Sequence, residues 1–206
     1  MIHVSPSEES SPSLTTYGQL AQEQLAALER VVAGQHVLDL GAGNLKLAEV
    51  LVKLGAARVT AVDRCFQGED VARLNAAPAG ARIALARSCF NDLAAFGCPD
   101  ARVAFLSWPS TGLHYEYAAA AGLLVILGRC DTVVVVSKNT DGLACGWPGL
   151  YAYLGTRPIL GYHPRRANTL IVYGRGPVER PLRGEELAGV SDRVAMAYDS
   201  LGEELS

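Results

Sequence analysis

Two glycines that follow a short apolar stretch constrain the fold of this chain more than any other feature. The stretch is residues 37–40 (Val-Leu-Asp-Leu), and it continues directly into 41–44 (Gly-Ala-Gly-Asn). An apolar run of this length is typical of a buried strand, and glycine lets the chain turn sharply while a ligand approaches bare backbone. Amides at the start of the following helix favour a carboxylate or a phosphate. The pattern therefore predicts a strand, a glycine loop and a helix that together bind a cofactor.

The glycine spacing and two acidic residues indicate which cofactor fits. A dinucleotide-binding loop has a third glycine three positions after the second, and Lys46 stands there in this chain. Asp39 is expected beneath the loop, where a carboxylate repels phosphate and attracts an ammonium group. Asp63 follows the second predicted strand and is placed to accept hydrogen bonds from the hydroxyls of a ribose. These residues favour a nucleoside that carries an amino acid.

Asp39, Gly41, Gly43 and Asp63 make the sequence similar to the class I S-adenosylmethionine-dependent methyltransferases. The first motif of that family has the form Asp-x-Gly-x-Gly, and its second strand ends in the acid that binds ribose. The resemblance spans about residues 35–174 and implies S-adenosylmethionine as the cofactor. It implies that the glycine loop lies against the methionine part and that Asp63 holds the ribose. The family also places an acid or amide against the adenine in the segment that corresponds to 88–92, where Asn91 and Asp92 are the two candidates, although helix capping by either residue explains them equally well.

Residues after the fourth predicted strand are expected to face the cofactor, because the crevice of a doubly wound sheet opens beyond the carboxyl ends of its strands. In family members that methylate amino groups, this place holds Asn, Asp or Ser, then Pro-Pro and an aromatic residue. Ser107 and Pro109 match that pattern, whereas Trp108 and Ser110 depart from it. His114, near the start of the next helix, is a candidate general base for an oxygen nucleophile, and capping is the alternative explanation.

The predicted site residues fall into two groups. The catalytic group is Ser107, Trp108, Pro109 and His114. The cofactor-binding group is Asp39, Gly41, Ala42, Gly43, Asn44, Asp63, Arg64, Asn91 and Ser107.

Strands and helices alternate along most of the chain, which is typical of a parallel sheet with helical crossovers. The predicted helices are 15–33, 44–54, 68–75, 91–96, 114–128 and 185–201, and the predicted strands are 36–40, 58–62, 82–86, 102–107, 132–137, 158–163 and 169–173. The last two strands are joined so briefly that only a hairpin fits. We expect an α/β fold with a doubly wound, mostly parallel seven-stranded sheet that ends in an antiparallel hairpin, the Rossmann-like methyltransferase fold.

Composition limits the classes of protein that fit. The chain has 206 residues, half of them hydrophobic, so we expect a single methyltransferase-like domain at 14–206. We expect a flexible tail at 1–13. The net charge of −3 gives no global attraction to nucleic acid or anionic membranes, so we expect neither as a partner. The five cysteines lack the paired spacing of a zinc site, so we expect no metal and reduced thiols in a cytoplasmic protein. No apolar stretch reaches the length that spans a membrane.

Three functions follow as hypotheses. The first is methyl transfer from S-adenosylmethionine to a nucleophilic nitrogen or oxygen of a small molecule or a protein side chain. The second is a non-catalytic module that binds S-adenosylmethionine or a nucleoside and has lost methyl transfer, because the segment after the fourth strand departs from the family pattern. The third is a nicotinamide-dependent oxidoreductase, which Lys46 disfavours.

Overall fold

The computed structural model describes residues 20–97, 99–109, 117–138, 150, 153–165 and 168–176. The predicted tail at 1–13 and the predicted helix at 185–201 lie outside these residues. Among the described residues, the helices are α1 (Gln22–Val32), α2 (Lys46–Lys53), α3 (Gly68–Ala76), α4 (Phe90–Phe96) and α5 (Tyr117–Arg129), with a 3₁₀ helix at Pro78–Arg82. The strands are β1 (His36–Leu40), β2 (Arg58–Asp63), β3 (Ile83–Arg87), β4 (Val103–Ser107), β5 (Thr132–Lys138), β6 (Ile159–Pro164) and β7 (Asn168–Tyr173).

All seven strands form one sheet in the order β3-β2-β1-β4-β5-β7-β6. The strands from β1 to β5 pair in parallel, and β7 runs antiparallel between β5 and β6. The predicted fold class, mostly parallel and closed by an antiparallel hairpin, is therefore confirmed. Because β1 and β4 are neighbours although β2 and β3 separate them in sequence, the chain order reverses between them. Such a switch point is where α/β sheets bind their ligands.

Helices cover both faces of the sheet, and a hydrophobic core lies under each layer. One core joins α1 and α2 to side chains such as Val37 and Phe105, and the other joins α4 and α5 to side chains such as Leu38 and Leu106. Successive residues of a strand point to opposite faces, so β1 and β4 contribute to both cores. Burial on both faces explains why these strands are almost uninterrupted apolar runs.

A buried polar side chain of helix α1 is hydrogen-bonded to β6, the edge strand of the sheet. The Gln24 amide is fully buried, and its Nε2 donates to the backbone oxygen of His163 in β6 at 2.8 Å. Its Oε1 accepts from the amide of Ala21 at 3.0 Å, at the start of the helix. Within the described part of the chain, no helix is both long and apolar enough to cross a membrane.

Candidate active site

The glycine loop after β1 is held in an unusual backbone conformation. Gly41 and Gly43 have φ angles of +80° and +48°, and Leu45 has φ +64°. Positive φ costs glycine nothing but strains an L-residue, so glycine is strongly favoured at both positions. The loop is anchored to the sheet because the amides of Gly41 and Ala42 both donate to the backbone oxygen of Val62, at 2.9 and 3.0 Å. The loop is therefore fixed by β2 as well as by β1.

Open space lies beside both glycines. Among the described residues, a Cβ atom built on Gly41 or Gly43 would have no neighbour within 4 Å. This space belongs to a cavity of about 390 Å³ at the carboxyl ends of β1 and β4, within the size range of small-molecule sites. The residues that line it are Asp39, Gly41, Ala42, Gly43, Asn44, Leu47, Cys65, Gln67, Asp70, Ser107 and Trp108.

Asp39 is a buried carboxyl group in the wall of this cavity. The residue is 1% exposed, and its Oδ2 has no hydrogen-bond partner among the described residues. Burial, and secondarily the charge of Asp63, raise its pKa from 3.8 to about 7. A buried polar atom without a partner is costly, so a group that donates to Oδ2 or carries positive charge would be stabilised there.

Asp63, at the end of β2, bridges the two loops that border the cavity. Its Oδ2 accepts from the amide of Gly43 at 2.9 Å, and its Oδ1 accepts from the amide of Cys65 at 3.1 Å. Asp63 is not in the cavity lining itself, but both residues that donate to it are. Each carboxylate oxygen has a second lone pair, so both can accept a further hydrogen bond.

Trp108 continues β4 with a left-handed backbone, φ +49°. Its amide donates to the backbone oxygen of Val136 at 2.8 Å, and its half-buried ring packs against the core that includes Phe105. An aromatic residue at positive φ is an outlier, and such strain is concentrated at functional sites. The bend brings Ser107 and Trp108 into the cavity wall, beside the glycine loop.

No protein-family model matches the chain, and no curated protein matches it in sequence. Its structure, however, resembles solved methyltransferases. The 1,6-didemethyltoxoflavin-N1-methyltransferase of Burkholderia thailandensis, solved with 1,6-didemethyltoxoflavin and S-adenosylhomocysteine, is 16% identical with a TM-score of 0.55; the match covers 74% of this chain and 78% of that one. An O-methyltransferase family protein of the same organism is 15% identical with a TM-score of 0.55, over 77% of this chain and 57% of that one.

A third neighbour is a Pyrococcus horikoshii protein provisionally assigned as an RNA methyltransferase. It is 16% identical with a TM-score of 0.54, over 77% of this chain and 82% of that one. The chain has the fold of the class I S-adenosylmethionine-dependent methyltransferases. In this methyltransferase fold, the cavity lies at the switch point between β1 and β4, where sequence reasoning expected it.

The methyltransferase fold brings most of the predicted site residues to one cavity. Those in its lining are Asp39, Gly41, Ala42, Gly43, Asn44, Ser107 and Trp108. Arg64 and Pro109 adjoin lining residues in sequence without lining the cavity, and Asn91 is exposed on α4. His114 lies outside the described residues. At Asn91, α4 packs closely against α5, since the Cβ of a side chain at Gly122 would lie 2.6 Å from the Asn91 backbone.

Four further lining residues were not predicted from the sequence: Leu47, Cys65, Gln67 and Asp70. Three of them follow β2, in the connection to α3 and in the first turn of that helix. The signal available in the sequence was their position, because residues that follow a parallel strand gather at the same edge of the sheet as the glycine loop. Residue type gave no comparable signal, since a glutamine and an aspartate near a helix start are common for local reasons.

Proposed function

We propose that this protein is a methyltransferase that binds S-adenosylmethionine in the glycine-loop cavity. The observation that carries the proposal is the buried carboxyl of Asp39, whose Oδ2 has no partner among the described residues, in the wall of a cavity bordered by bare glycine backbone. The cofactor carries an ammonium group and a positive sulfonium, and either charge would favour the ionised form of Asp39. The residues present therefore fit this group.

Other parts of the site fit the rest of the cofactor. The open space beside Gly41 and Gly43 admits a ligand against the backbone, and a side chain at either position would occupy it. We propose that Asp63 holds the ribose through the lone pairs that the amides of Gly43 and Cys65 leave available. Asp39 lines the cavity, and its ionised form would repel a pyrophosphate, which argues against a nicotinamide dinucleotide.

When bound, the cofactor supplies an activated methyl group on a sulfonium sulfur. The work left to the protein is to hold the acceptor in line and to exclude water. Such positioning can contribute roughly 7–11 kcal/mol in favourable cases. We propose that the Ser107 hydroxyl orients the acceptor atom and that the Trp108 ring forms the wall against which the acceptor lies. Both stand in the cavity lining beside the glycine loop.

For the acceptor, we propose a nitrogen or oxygen of a small molecule or a protein side chain. The negative net charge and the acidic cavity wall support an acceptor without phosphate groups. Two neighbours in structure are a toxoflavin-precursor methyltransferase and an O-methyltransferase family protein, and a third is provisionally assigned to RNA. An acceptor panel should therefore contain amines, alcohols, phenols, peptides and a structured RNA.

Calorimetric titration tests cofactor binding. We expect the wild type to bind S-adenosylmethionine and S-adenosylhomocysteine, to ignore NADH, and to lose at least about tenfold in affinity, or about 1.4 kcal/mol, in Asp39→Asn. Absence of binding to both sulfur compounds would refute the proposal.

Turnover is tested separately, by the release of S-adenosylhomocysteine in the presence of each acceptor. Ser107→Ala should lower kcat while the affinity for S-adenosylhomocysteine stays within about twofold. Binding without turnover on the whole panel would instead favour the non-catalytic module. The non-catalytic module is the second candidate function because Trp108 and Ser110 depart from the family pattern.

A further inference from the structure

Arg73, in the last turn of α3, joins three separate parts of the cofactor site. Its Nη2 donates to the backbone oxygen of Asn44 at 2.6 Å and to Oδ1 of Asp70 at 3.2 Å. Its Nη1 donates to the carboxylate of Glu49 in α2. Arginine suits this role because its planar fork carries several donors in fixed directions. The contacts connect the glycine loop, the first turn of α2 and the first turn of α3.

Two of the three residues that accept hydrogen bonds from Arg73 are part of the cavity wall. Asn44 and Asp70 both line it, whereas Arg73 does not. The Asp70 and Glu49 side chains are 15% and 17% exposed, so their ion pairs with Arg73 are partly shielded from water. Partly shielded, charge-assisted hydrogen bonds are stronger and more directional than exposed ones. Any action of Arg73 on a bound cofactor is therefore indirect, through Asn44 and Asp70.

The segment around Asn44, which accepts a hydrogen bond from Arg73, also contains a strained backbone residue. Gly43 and Leu45, on either side of Asn44, both have positive φ. For Leu45 this conformation costs about 1–2 kcal/mol, so other contacts must hold the loop in place. The hydrogen bond from Arg73 to the Asn44 oxygen is one such contact, at the residue between the two.

We propose that Arg73 is a positioning residue that sets the glycine loop and the start of α3 in the geometry that receives the cofactor. The proposal rests on the proposed function. A loop fixed before the ligand arrives loses less conformational entropy on binding, so the hydrogen bonds of Arg73 contribute to affinity although Arg73 does not touch the ligand.

Arg82 provides a matched control. It also donates from both Nη atoms to backbone oxygens near α2, to Ala56 at 3.2 Å and to Val52 at 3.3 Å. Neither Ala56 nor Val52 lines the cavity. Arg73→Gln and Arg82→Gln thus each remove a hydrogen bond to α2. Only Arg73→Gln also removes hydrogen bonds to residues that line the cavity.

The first experiment measures the affinity for S-adenosylhomocysteine by calorimetry and the free energy of unfolding by urea titration. We expect Arg73→Gln to weaken binding about tenfold and Arg82→Gln to leave it within about twofold. Arg73→Lys, which keeps the charge but not the fork, should fall between wild type and Arg73→Gln. Equal losses of affinity in the two glutamine variants, or none in Arg73→Gln, would overturn the proposal.

The second experiment is hydrogen exchange on the ligand-free protein, and its outcome does not depend on cofactor binding. The amide of Leu45 donates to the oxygen of Ala42 at 2.9 Å, and the amide of Lys46 donates to Oδ1 of Asn44 at 3.2 Å. Arg73→Gln should speed exchange of these two amides by about fivefold or more, and Arg82→Gln should not. Unchanged exchange in Arg73→Gln would overturn the positioning role of Arg73. Faster exchange in Arg73→Gln, together with a wild type that binds no S-adenosylhomocysteine, would support that role and refute the proposed function.

Discussion

Asp39 is a carboxyl group that the fold buries at a cost in free energy. Its pKa of about 7 in the folded chain lies well above the unfolded value near 3.8. Between these values, the folded state keeps a proton that the unfolded state has released. The free energy of unfolding therefore falls as pH rises through that window, and above about pH 7 the full penalty remains.

The first prediction concerns Asp39→Asn, which removes this titration. The wild type should lose stability between about pH 4 and about pH 7 relative to the variant, by about 4 kcal/mol at most. At pH 8 the variant should be the more stable of the two proteins. Urea titrations at four pH values measure the difference, and parallel stability curves for the two proteins would contradict the assignment of a raised pKa to this residue.

The second prediction concerns Cys65, an exposed thiol in the cavity lining. A bound nucleoside should cover it, so S-adenosylhomocysteine at 100 times its Kd should slow its alkylation by iodoacetamide about tenfold or more. Cys89 provides the internal control, because it is partly exposed at the start of α4 and outside this cavity. Peptide mapping reports both thiols in one sample. Protection of Cys89 while Cys65 stays reactive, or protection of neither thiol by a ligand that binds, would place the ligand elsewhere.

The helices and strands vary in how far their bounds could be predicted from the sequence. The prediction of β1 at 36–40 is confirmed, because its apolar run is bounded by a glycine loop. The predicted helix at 44–54 begins at Lys46 instead, since Leu45 adopts a left-handed backbone that a leucine does not signal. The 3₁₀ helix Pro78–Arg82 was missed, because such short turns have no hydrophobic period of their own.

Packing between α4 and α5 gives the third prediction. A Cβ on Gly122 would lie 2.6 Å from backbone atoms of Asn91, which cannot move away as a side-chain tip can. Gly122→Ala should therefore lower the free energy of unfolding by about 2 kcal/mol or more. Among the described residues, a Cβ on Gly128 in the same helix would meet only the Tyr153 hydroxyl, at 3.4 Å.

Gly128→Ala is the matched control, and it should be neutral or stabilising by up to about 1 kcal/mol because alanine is the better helix former. Urea titration of both variants gives the two differences. Similar values for the two substitutions would contradict the close approach of α4 to Gly122.

The arrangement of the whole sheet was predictable where local chemistry determines it. The short connection between β6 and β7 required a hairpin, and the alternation of strands and helices indicated a parallel sheet. The contacts of Arg73 with Asn44 and Glu49 were not predictable, because they join residues 29 and 24 positions apart that meet only after folding. The same holds for the raised pKa of Asp39, which depends on burial that the sequence alone does not specify.

A single sheet with a core on each face gives the fourth prediction. If residues 14–206 form one domain, both cores should melt together, because every strand from β1 to β5 contributes to them. Urea unfolding followed by far-ultraviolet circular dichroism and by tryptophan fluorescence should give coincident transitions. Two separate transitions would show that the chain contains more than one cooperative unit.

The crystal structure of the complex with S-adenosylhomocysteine tests the central claim most directly. We expect the ligand in the cavity between β1 and β4, with its ammonium hydrogen-bonded to Asp39 directly or through one water and its ribose hydroxyls on Asp63. A ligand in the cleft at the amino ends of β4 and β5, which is lined by Arg30, Arg102 and Asp131, would contradict this claim. So would a complex in which Asp39 remains without a partner.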